Sequence, residues 1–239
     1  NLSIEKGEFV TIIGSSGCGK TTILKMVNGL VRPVDGNVLV EGRDTRETDL
    51  TMLRRNIGYA IQGSVLFPHM TVEKNIAYVP NLLNKRDKKR TEQAVEKWMN
   101  IVGLEDSLRS RFPSELSGGQ RQRVGIARAL AASPDILLMD GPFGAVDEIT
   151  RGSLQEEISR IHRETGITVL FVTHDIGEAL KLGTKVLVMD GGSIQQFAPP
   201  REILHAPATD YVRKLVEKER RRCHLPEEKL GDCEYSGAI

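Results

Sequence analysis

The sequence predicts an α/β protein in which helices cover a mostly parallel sheet. Short apolar segments, each followed by glycine or polar residues, alternate with longer stretches of helical character. These segments are typical of strands that are buried on both faces. The predicted strands are Phe9–Ile13, Ile57–Ile61, Ile136–Met139, Val169–Val172 and Lys185–Met189.

A helical insertion is predicted for Val72–Leu130, between the second and third strands. The apolar side chains that recur at helical spacing within Lys85–Leu104 are Ala94, Val95, Trp98, Met99 and Val102. We expect Trp98 to pack in the core of this insertion. The basic residues of Lys85–Arg90 are soon followed by acidic ones, so we interpret them as a solvated helix start.

The sequence after the last predicted strand indicates a short turn following Gly191 and a charged helix over Asp210–Arg222. Cys223–Ile239 is expected to be loosely structured. The sequence begins with Asn1 rather than Met, and a strand begins within ten residues, which favours a trimmed natural N-terminus.

Composition narrows the class of protein. The chain has 239 residues, 39% hydrophobic and 27% charged, which excludes a collagen-like, largely disordered or disulfide-scaffold protein. The net charge of +1 gives no overall attraction to nucleic acid, and we expect no nucleic-acid partner. Three cysteines are too few for a disulfide framework, which favours a reducing compartment. We expect neither a membrane span nor a signal peptide.

The strongest motif directly follows the first predicted strand and fits G-x-x-x-x-G-K-[ST]. Its residues are Gly14, Ser15, Ser16, Gly17, Cys18, Gly19, Lys20 and Thr21, and Thr22 continues into a helix. The glycines let successive N–H groups point at phosphate oxygens, and the helix N-terminus adds a favourable dipole. We expect Lys20 to reach the β and γ phosphates and Thr21 to ligate Mg²⁺. We interpret Cys18 as a small spacer.

Two further motifs extend this prediction. Asp140 ends an apolar strand, an arrangement that can hold the magnesium ion of the nucleotide. Ser117, Gly118, Gly119 and Gln120 begin a helix that could bind a second anion. A simple helix cap after Pro113 would also satisfy these residues, but their order relative to Lys20 and Asp140 favours a binding role. Two phosphate-binding ends in one chain predict that two copies assemble.

With these motifs, the chain from Asn1 to about residue 220 resembles the nucleotide-binding subunits of ATP-binding cassette (ABC) transporters. The resemblance implies a P-loop ATPase core over residues 1–62 and 131–205, with an N-terminal antiparallel β part. It also implies an ABC-type helical subdomain over residues 63–130, followed by a C-terminal helix and tail over residues 206–239. In this family, two ATP molecules lie between the phosphate loop of one subunit and the signature of the other, in a head-to-tail dimer with two-fold symmetry.

Other family positions follow from the same resemblance. Gln62 is similar to the Q-loop glutamine that contacts Mg²⁺ and the attacking water and senses the membrane partner. Asp147 resembles the D-loop aspartate, and His174 resembles the switch histidine near the γ-phosphate. Polar residues at the carboxyl ends of parallel strands are where such contacts should fall. The remaining histidines are expected to have no role in the site: His69, His162, His205 and His224.

The chain departs from the family at Gly141, where the family has a glutamate that polarises the attacking water. Loss of a general base costs about 10² to 10⁴ in rate, so we expect impaired hydrolysis with intact nucleotide binding. Three explanations are open: a degenerate subunit with a competent partner, a substitution that traps ATP, or a base supplied by His174 or bound water. The intact motifs elsewhere favour the second. The aromatic residue that stacks on adenine in this family should lie upstream of residue 1.

The segments Leu66–Thr71, Asn75–Ala77 and Ile149–Arg151 are similar to the ATPases of bacterial importers for osmoprotectants such as glycine betaine, carnitine, choline or proline. Importers of other solutes share the Leu66–Thr71 pattern, so an importer ATPase for another small solute stays open as an alternative. This resemblance implies transmembrane permease subunits as partners, contacted through Gln62–Thr71, at the cytoplasmic face of the membrane. Phe67 and its neighbours either form an exposed apolar contact there or pack the insertion.

Two other classes of function compete with an importer ATPase. A cassette protein of DNA repair or translation would need a long coiled-coil insertion or a second cassette, and neither feature is present in this sequence. A nucleotide-gated regulatory module without useful hydrolysis is compatible with Gly141.

Overall fold

The computed structural model describes residues 1–61, 65–84, 87–144 and 148–222, and in these ranges the strands form a six-stranded and a two-stranded sheet. The six strands of the larger sheet are β1 (Phe9–Gly14), β4 (Ile57–Ala60), β5 (Ile136–Asp140), β6 (Thr168–Val172), β7 (Lys185–Asp190) and β8 (Ser193–Ala198). Their order is β4-β5-β6-β1-β7-β8, in which β8 alone is antiparallel to its neighbour. The small antiparallel sheet pairs β2 (Leu39–Val40) with β3 (Arg43–Asp44).

The predicted strands are confirmed, each within one residue of the observed ends. The difference is β8, because the sequence predicts only a turn in this region. Its pattern is misleading: Ile194 is exposed, whereas Gln196 is buried. Gln196 can be buried because its amide bonds to Ala206 O at 3.1 Å and its carbonyl accepts the N–H of Ala208 at 2.9 Å. A strand whose buried position holds a polar residue cannot be predicted from the alternation of apolar side chains.

Helices cover both faces of the larger sheet. They are α1 (Lys20–Val27), α2 (Leu50–Arg55), α3 (Val72–Ile76), α4 (Tyr78–Leu83), α5 (Lys88–Ile101), α6 (Gly118–Leu130), α7 (Glu148–Thr165), α8 (Ile176–Leu182), α9 (Pro200–His205) and α10 (Asp210–Arg222). Helices α3 to α6 occupy the predicted insertion, and α10 coincides with the predicted C-terminal helix. Cys223–Ile239 lies outside the described residues. None of the helices described is long and apolar enough to cross a membrane.

The two faces of the sheet are buried by different helices. Alternate side chains of β5 lie on opposite faces of the sheet. Leu137 and Met139 pack in a cluster that includes Trp98 of α5, whereas Leu138 packs with Leu24 of α1. Trp98 is only 4% exposed, so its prediction as a core residue is confirmed. The insertion and the sheet therefore share one continuous apolar cluster.

The insertion approaches the sheet closely at Gly58 of β4. A Cβ atom at Gly58 would lie 2.3 Å from the carbonyl oxygen of Ala129 in α6. We therefore predict that Gly58→Ala forces α6 away from the sheet and lowers the free energy of unfolding by about 1–3 kcal/mol. Urea unfolding followed by circular dichroism measures this loss.

Gly152→Ala in α7 is the matched control, because a Cβ atom there meets nothing within 4 Å. This change should raise stability by roughly 0.5–1 kcal/mol, since alanine favours a helix over glycine. Equal stability of the Gly58→Ala and Gly152→Ala proteins would contradict the packing argument.

Candidate nucleotide-binding site

Three candidate segments come together at the carboxyl edge of the sheet. In the register of β1, β6 and β5, Ile12 is opposite Val172 and Val172 is opposite Asp140. The phosphate loop, which begins at Gly14, and His174 each follow this row by two residues. The edge therefore places the loop, the carboxylate and the histidine segment on adjacent strands, where ligands of such sheets bind.

The phosphate loop closes around a buried lysine. The Lys20 ammonium donates to Gly14 O at 2.9 Å and to Ser15 O at 2.7 Å, and Lys20 is only 6% exposed. The loop also contacts the sheet directly, because a Cβ atom at Gly14 would lie 2.0 Å from Met189 O. Cys18 is buried and free, and its thiol packs against the sheet with Leu24.

The turn into α1 uses left-handed backbone. Gly17 has φ 78° and Gly19, the N-cap of α1, has φ 101°. No side chain caps this helix, so its first N–H groups are available to an anion. Thr21 is half-buried, whereas Thr22 in the same first turn of α1 and Ser16 in the loop are exposed.

Asp190 and Tyr211 join the phosphate loop, and the sequence reasoning missed both. The Ser15 hydroxyl donates to Asp190 Oδ1 at 2.6 Å. Burial raises the pKa of Tyr211, and the negative charge of Asp190 raises it further. Hydrogen bonds with Ser15 lower this pKa, but by less. A signal for Asp190 was present, because it ends β7 just as Asp140 ends β5. Nothing in the local sequence indicates that Tyr211, on α10, lies beside the loop.

Asp140 is the candidate metal ligand and is only 6% exposed. Tyr59 lies on the neighbouring strand β4. Its burial, and to a smaller extent the negative charge of Asp140, raises the pKa of Tyr59 to about 12. Among the residues described, no group of three or more His, Cys, Asp or Glu side chains could hold a metal. A single carboxylate with the Thr21 hydroxyl nevertheless suits Mg²⁺, which keeps several waters and takes phosphate oxygens as ligands.

Gly141 follows Asp140 in a left-handed conformation, with φ 54°. Its N–H donates to Val172 O at 3.0 Å, so the strand pairing continues past Asp140. This backbone disfavours any residue with a side chain.

His174 lies in the middle of the three-residue loop between β6 and α8, and its side chain is exposed. Its neighbours are more constrained: Thr173 is 4% exposed, and the Asp175 carboxylate accepts the N–H of Glu178 at 3.0 Å as the N-cap of α8. Gln62 and Asp147, the other two candidates from the sequence, lie outside the described residues.

Residues 117–120, the segment predicted to be the ABC signature, form a capped helix start. The Ser117 hydroxyl accepts the N–H of Gln120 at 3.2 Å, and Gln120 Oε1 accepts the N–H of Ser117 at 2.8 Å. The N–H groups of Gly118 and Gly119 lie in the first turn of α6, where intrahelical acceptors are lacking. Ser117 is exposed, so another molecule can reach this helix end. Helix capping and anion binding are thus compatible here.

His162 is a structural residue, as the sequence reasoning expected. Its Nε2 lies 2.8 Å from Gly7 O, and its ring packs edge-on against Phe9 with centroids 5.3 Å apart. Phe67 is half-buried against Tyr78, with ring centroids 4.8 Å apart, whereas Pro68 is exposed. The segment therefore combines packing with exposed apolar surface.

The chain is similar to ATP-binding proteins of bacterial transport systems. The chain is 49% identical over 220 residues to a glycine betaine/carnitine/choline transport ATP-binding protein of Bacillus subtilis, covering 92% of this chain and 58% of that protein. It is 50% identical over 215 residues to a glycine betaine uptake system ATP-binding protein of Escherichia coli, covering 90% of this chain and 70% of that protein. The chain spans about half to two thirds of the length of such relatives.

A dimeric ATP-binding cassette, solved in a post-hydrolysis state with ADP and Pi, matches with a TM-score of 0.77 and 34% identity. The match covers 84% of this chain and 88% of that one. The family model described as ABC transporter matches residues 1–144. The mostly parallel sheet, the phosphate loop on β1 and these matches lead to one conclusion: the chain belongs to the ABC transporter family.

Proposed function

We propose that this chain is the ATP-binding subunit of a membrane importer. The observation that carries the proposal is the phosphate loop, which wraps around the Lys20 ammonium at the uncapped start of α1. When ATP binds, the ammonium can exchange the carbonyls of Gly14 and Ser15 for phosphate oxygens. Charge-assisted bonds of this kind are stronger than those to neutral carbonyls.

Mg²⁺ would be held by Asp140 and Thr21, and it would neutralise charge on the β and γ phosphates. The roles of Gln62, Asp147 and His174 are part of the same proposal. The match of this chain to the ABC transporter family supports a nucleotide site of this class.

We further propose that two copies enclose two ATP molecules, with the α6 start of one copy facing the phosphate loop of the other. The exposed N–H groups of Gly118 and Gly119 support this arrangement, because a helix N-terminus favours a phosphate oxygen. A structural relative that was solved as a dimer also supports it.

The test is ATP-dependent association, measured by gel filtration and by calorimetry with Mg-ATP. Ser117→Arg should abolish the ATP-dependent dimer because a large side chain blocks the helix start, while the ATP affinity of the monomer stays within about twofold of that of the native chain. Lys20→Met should weaken ATP binding by roughly ten- to hundredfold, the value of a hydrogen bond to a charged group.

Lys25→Met is the control for Lys20→Met, because Lys25 lies in the last turn of α1 and not in the loop. The proposal fails if native protein releases no heat with Mg-ATP. The proposed dimer is contradicted if the Ser117→Arg protein dimerises in the presence of ATP as the native chain does.

Hydrolysis is a separate proposal: we infer that Gly141 leaves the site without its usual base. Gly141→Glu should raise the rate of phosphate release by about 10² to 10⁴, while ATP affinity stays similar. The left-handed φ of 54° adds a cost of about 1–2 kcal/mol for any side chain, so Gly141→Ala serves as the control for backbone strain. Phosphate release under single-turnover conditions measures both.

Equal rates for the native and Gly141→Glu proteins would mean that another group is the base. No release from either protein, with ATP bound, would favour the second candidate function, a nucleotide-gated module without useful hydrolysis. The left-handed backbone at residue 141, which suits glycine and disfavours glutamate, favours this module without hydrolysis.

The solute is proposed to be a quaternary-amine osmoprotectant such as glycine betaine, carnitine or choline. Relatives named for these solutes are 47–50% identical, against 43–44% for relatives named for spermidine/putrescine or sulfate/thiosulfate. The chain would then act at the cytoplasmic face of the membrane, with its 65–71 segment and Gln62 against the permease subunits.

Copurification tests the choice of partner without requiring hydrolysis. The chain should retain the membrane subunits of the E. coli glycine betaine system and not those of a spermidine/putrescine importer. Val65→Glu should reduce retention several-fold, because Val65 is 63% exposed in this segment and a charge there meets an apolar partner. Equal retention of both sets of subunits would contradict the assignment.

A further inference from the structure

A polar network, buried at Gln155 and Thr173 and half-buried at Glu178, connects α7 with the loop that carries His174. Gln155 of α7 is 8% exposed and Thr173 is 4% exposed. The amide Nε2 of Gln155 donates to Glu178 Oε1 at 2.8 Å, and the Thr173 hydroxyl donates to Glu178 Oε2. Both carboxylate oxygens of Glu178 are therefore engaged, one by each side of the network.

The network continues on both sides of Glu178. Lys181 Nζ donates to Gln155 Oε1 at 3.3 Å, which fixes the orientation of the Gln155 amide. The N–H of Asp175 donates to Thr173 Oγ1 at 3.1 Å. The residues immediately before and after His174 are thus both bonded to the network.

The chemistry of the network specifies one arrangement. Glu178 accepts two hydrogen bonds and Gln155 both donates and accepts, so each side chain matches its partner in only one orientation. Leaving one of these buried groups unpaired costs about 1–3 kcal/mol. A network of this kind holds a loop in place more strictly than apolar packing of the same residues would.

We propose that Gln155 and Glu178 are positioning residues that hold the His174 loop in a fixed relation to α7. The assignment of a role to His174 rests on the proposed function, whereas the position of the loop does not. Neither Gln155 nor Glu178 contacts the phosphate loop in the hydrogen bonds described. Disrupting these two residues should therefore change the position of His174 and leave the ATP affinity unchanged.

A reciprocal exchange of the two side chains tests the proposal. Glu178→Gln leaves one oxygen for two donors, and Gln155→Glu places two carboxylates against each other. The double variant Gln155→Glu/Glu178→Gln restores every donor and acceptor: the new carboxylate accepts from Lys181 and from the new amide, whose oxygen still accepts from Thr173.

The readout is the imidazole resonances of His174 in nuclear magnetic resonance spectra of the nucleotide-free protein, assigned with His174→Gln. Each single variant should displace these resonances, and the double variant should return them to the native positions. Calorimetry with Mg-ATP should give dissociation constants within about twofold of native for all three. If the native chain releases phosphate, each single variant should release it more slowly than the native chain, by up to about a hundredfold, because a 1 Å misplacement of a catalytic group can cost that much.

Glu156→Gln is the matched control, because it removes the same charge from the exposed position next to Gln155 and should leave the His174 resonances unchanged. Native resonances in both single variants would overturn the proposal. So would a double variant as displaced as the singles, which would indicate general destabilisation. Absence of ATP binding in the native chain would overturn the proposed function instead, and the nucleotide-free spectra would still decide this inference.

Discussion

The parallel packing of β1 between β6 and β7 is the constraint on which the site depends. Because these strands run in one direction, their carboxyl ends open on the same edge of the sheet. The contact between Gly14 and the Met189 carbonyl fixes where the phosphate loop leaves that edge. The hydrogen bond of Ser15 to Asp190 then ties the loop to the end of β7. Backbone pairing thus brings the phosphate loop, Asp140 and the His174 loop together at this edge.

Helix α6 extends this constraint into the helical region. Its C-terminal end packs on Gly58 of β4, and its N-terminal end, about 20 Å away at 1.5 Å per residue, carries the Ser117 cap. Arg128 of the same helix donates to Val65 O at 2.8 Å and lies over the Phe67 ring at 5.3 Å. Burial lowers the pKa of Arg128. One rigid helix therefore fixes both the signature and the proposed permease-facing segment relative to the sheet.

Strand positions and the phosphate loop could be predicted from the sequence because their signals are local. An apolar run that ends in Asp140, or in glycines before Lys20, needs no knowledge of distant residues. The partners of Ser15 could not be found in this way, since Asp190 and Tyr211 become neighbours only through strand order and the packing of α10. Strand β8 was hidden by the buried Gln196, whose bonds to the 206–208 segment are also non-local. The hairpin of β2 and β3 has only two residues per strand, too few to show a period.

The separation of phosphate binding from the proposed catalytic position is also a consequence of strand order. The groups that would hold phosphate lie on β1 and α1, whereas residue 141 follows β5, with β6 between them. A change at residue 141 can therefore remove a base without disturbing the loop around Lys20. The backbone at Gly141 has moreover adopted a left-handed conformation that suits glycine, while its N–H still pairs with Val172. The proposed loss of the carboxylate thus falls at a position whose backbone itself suits glycine.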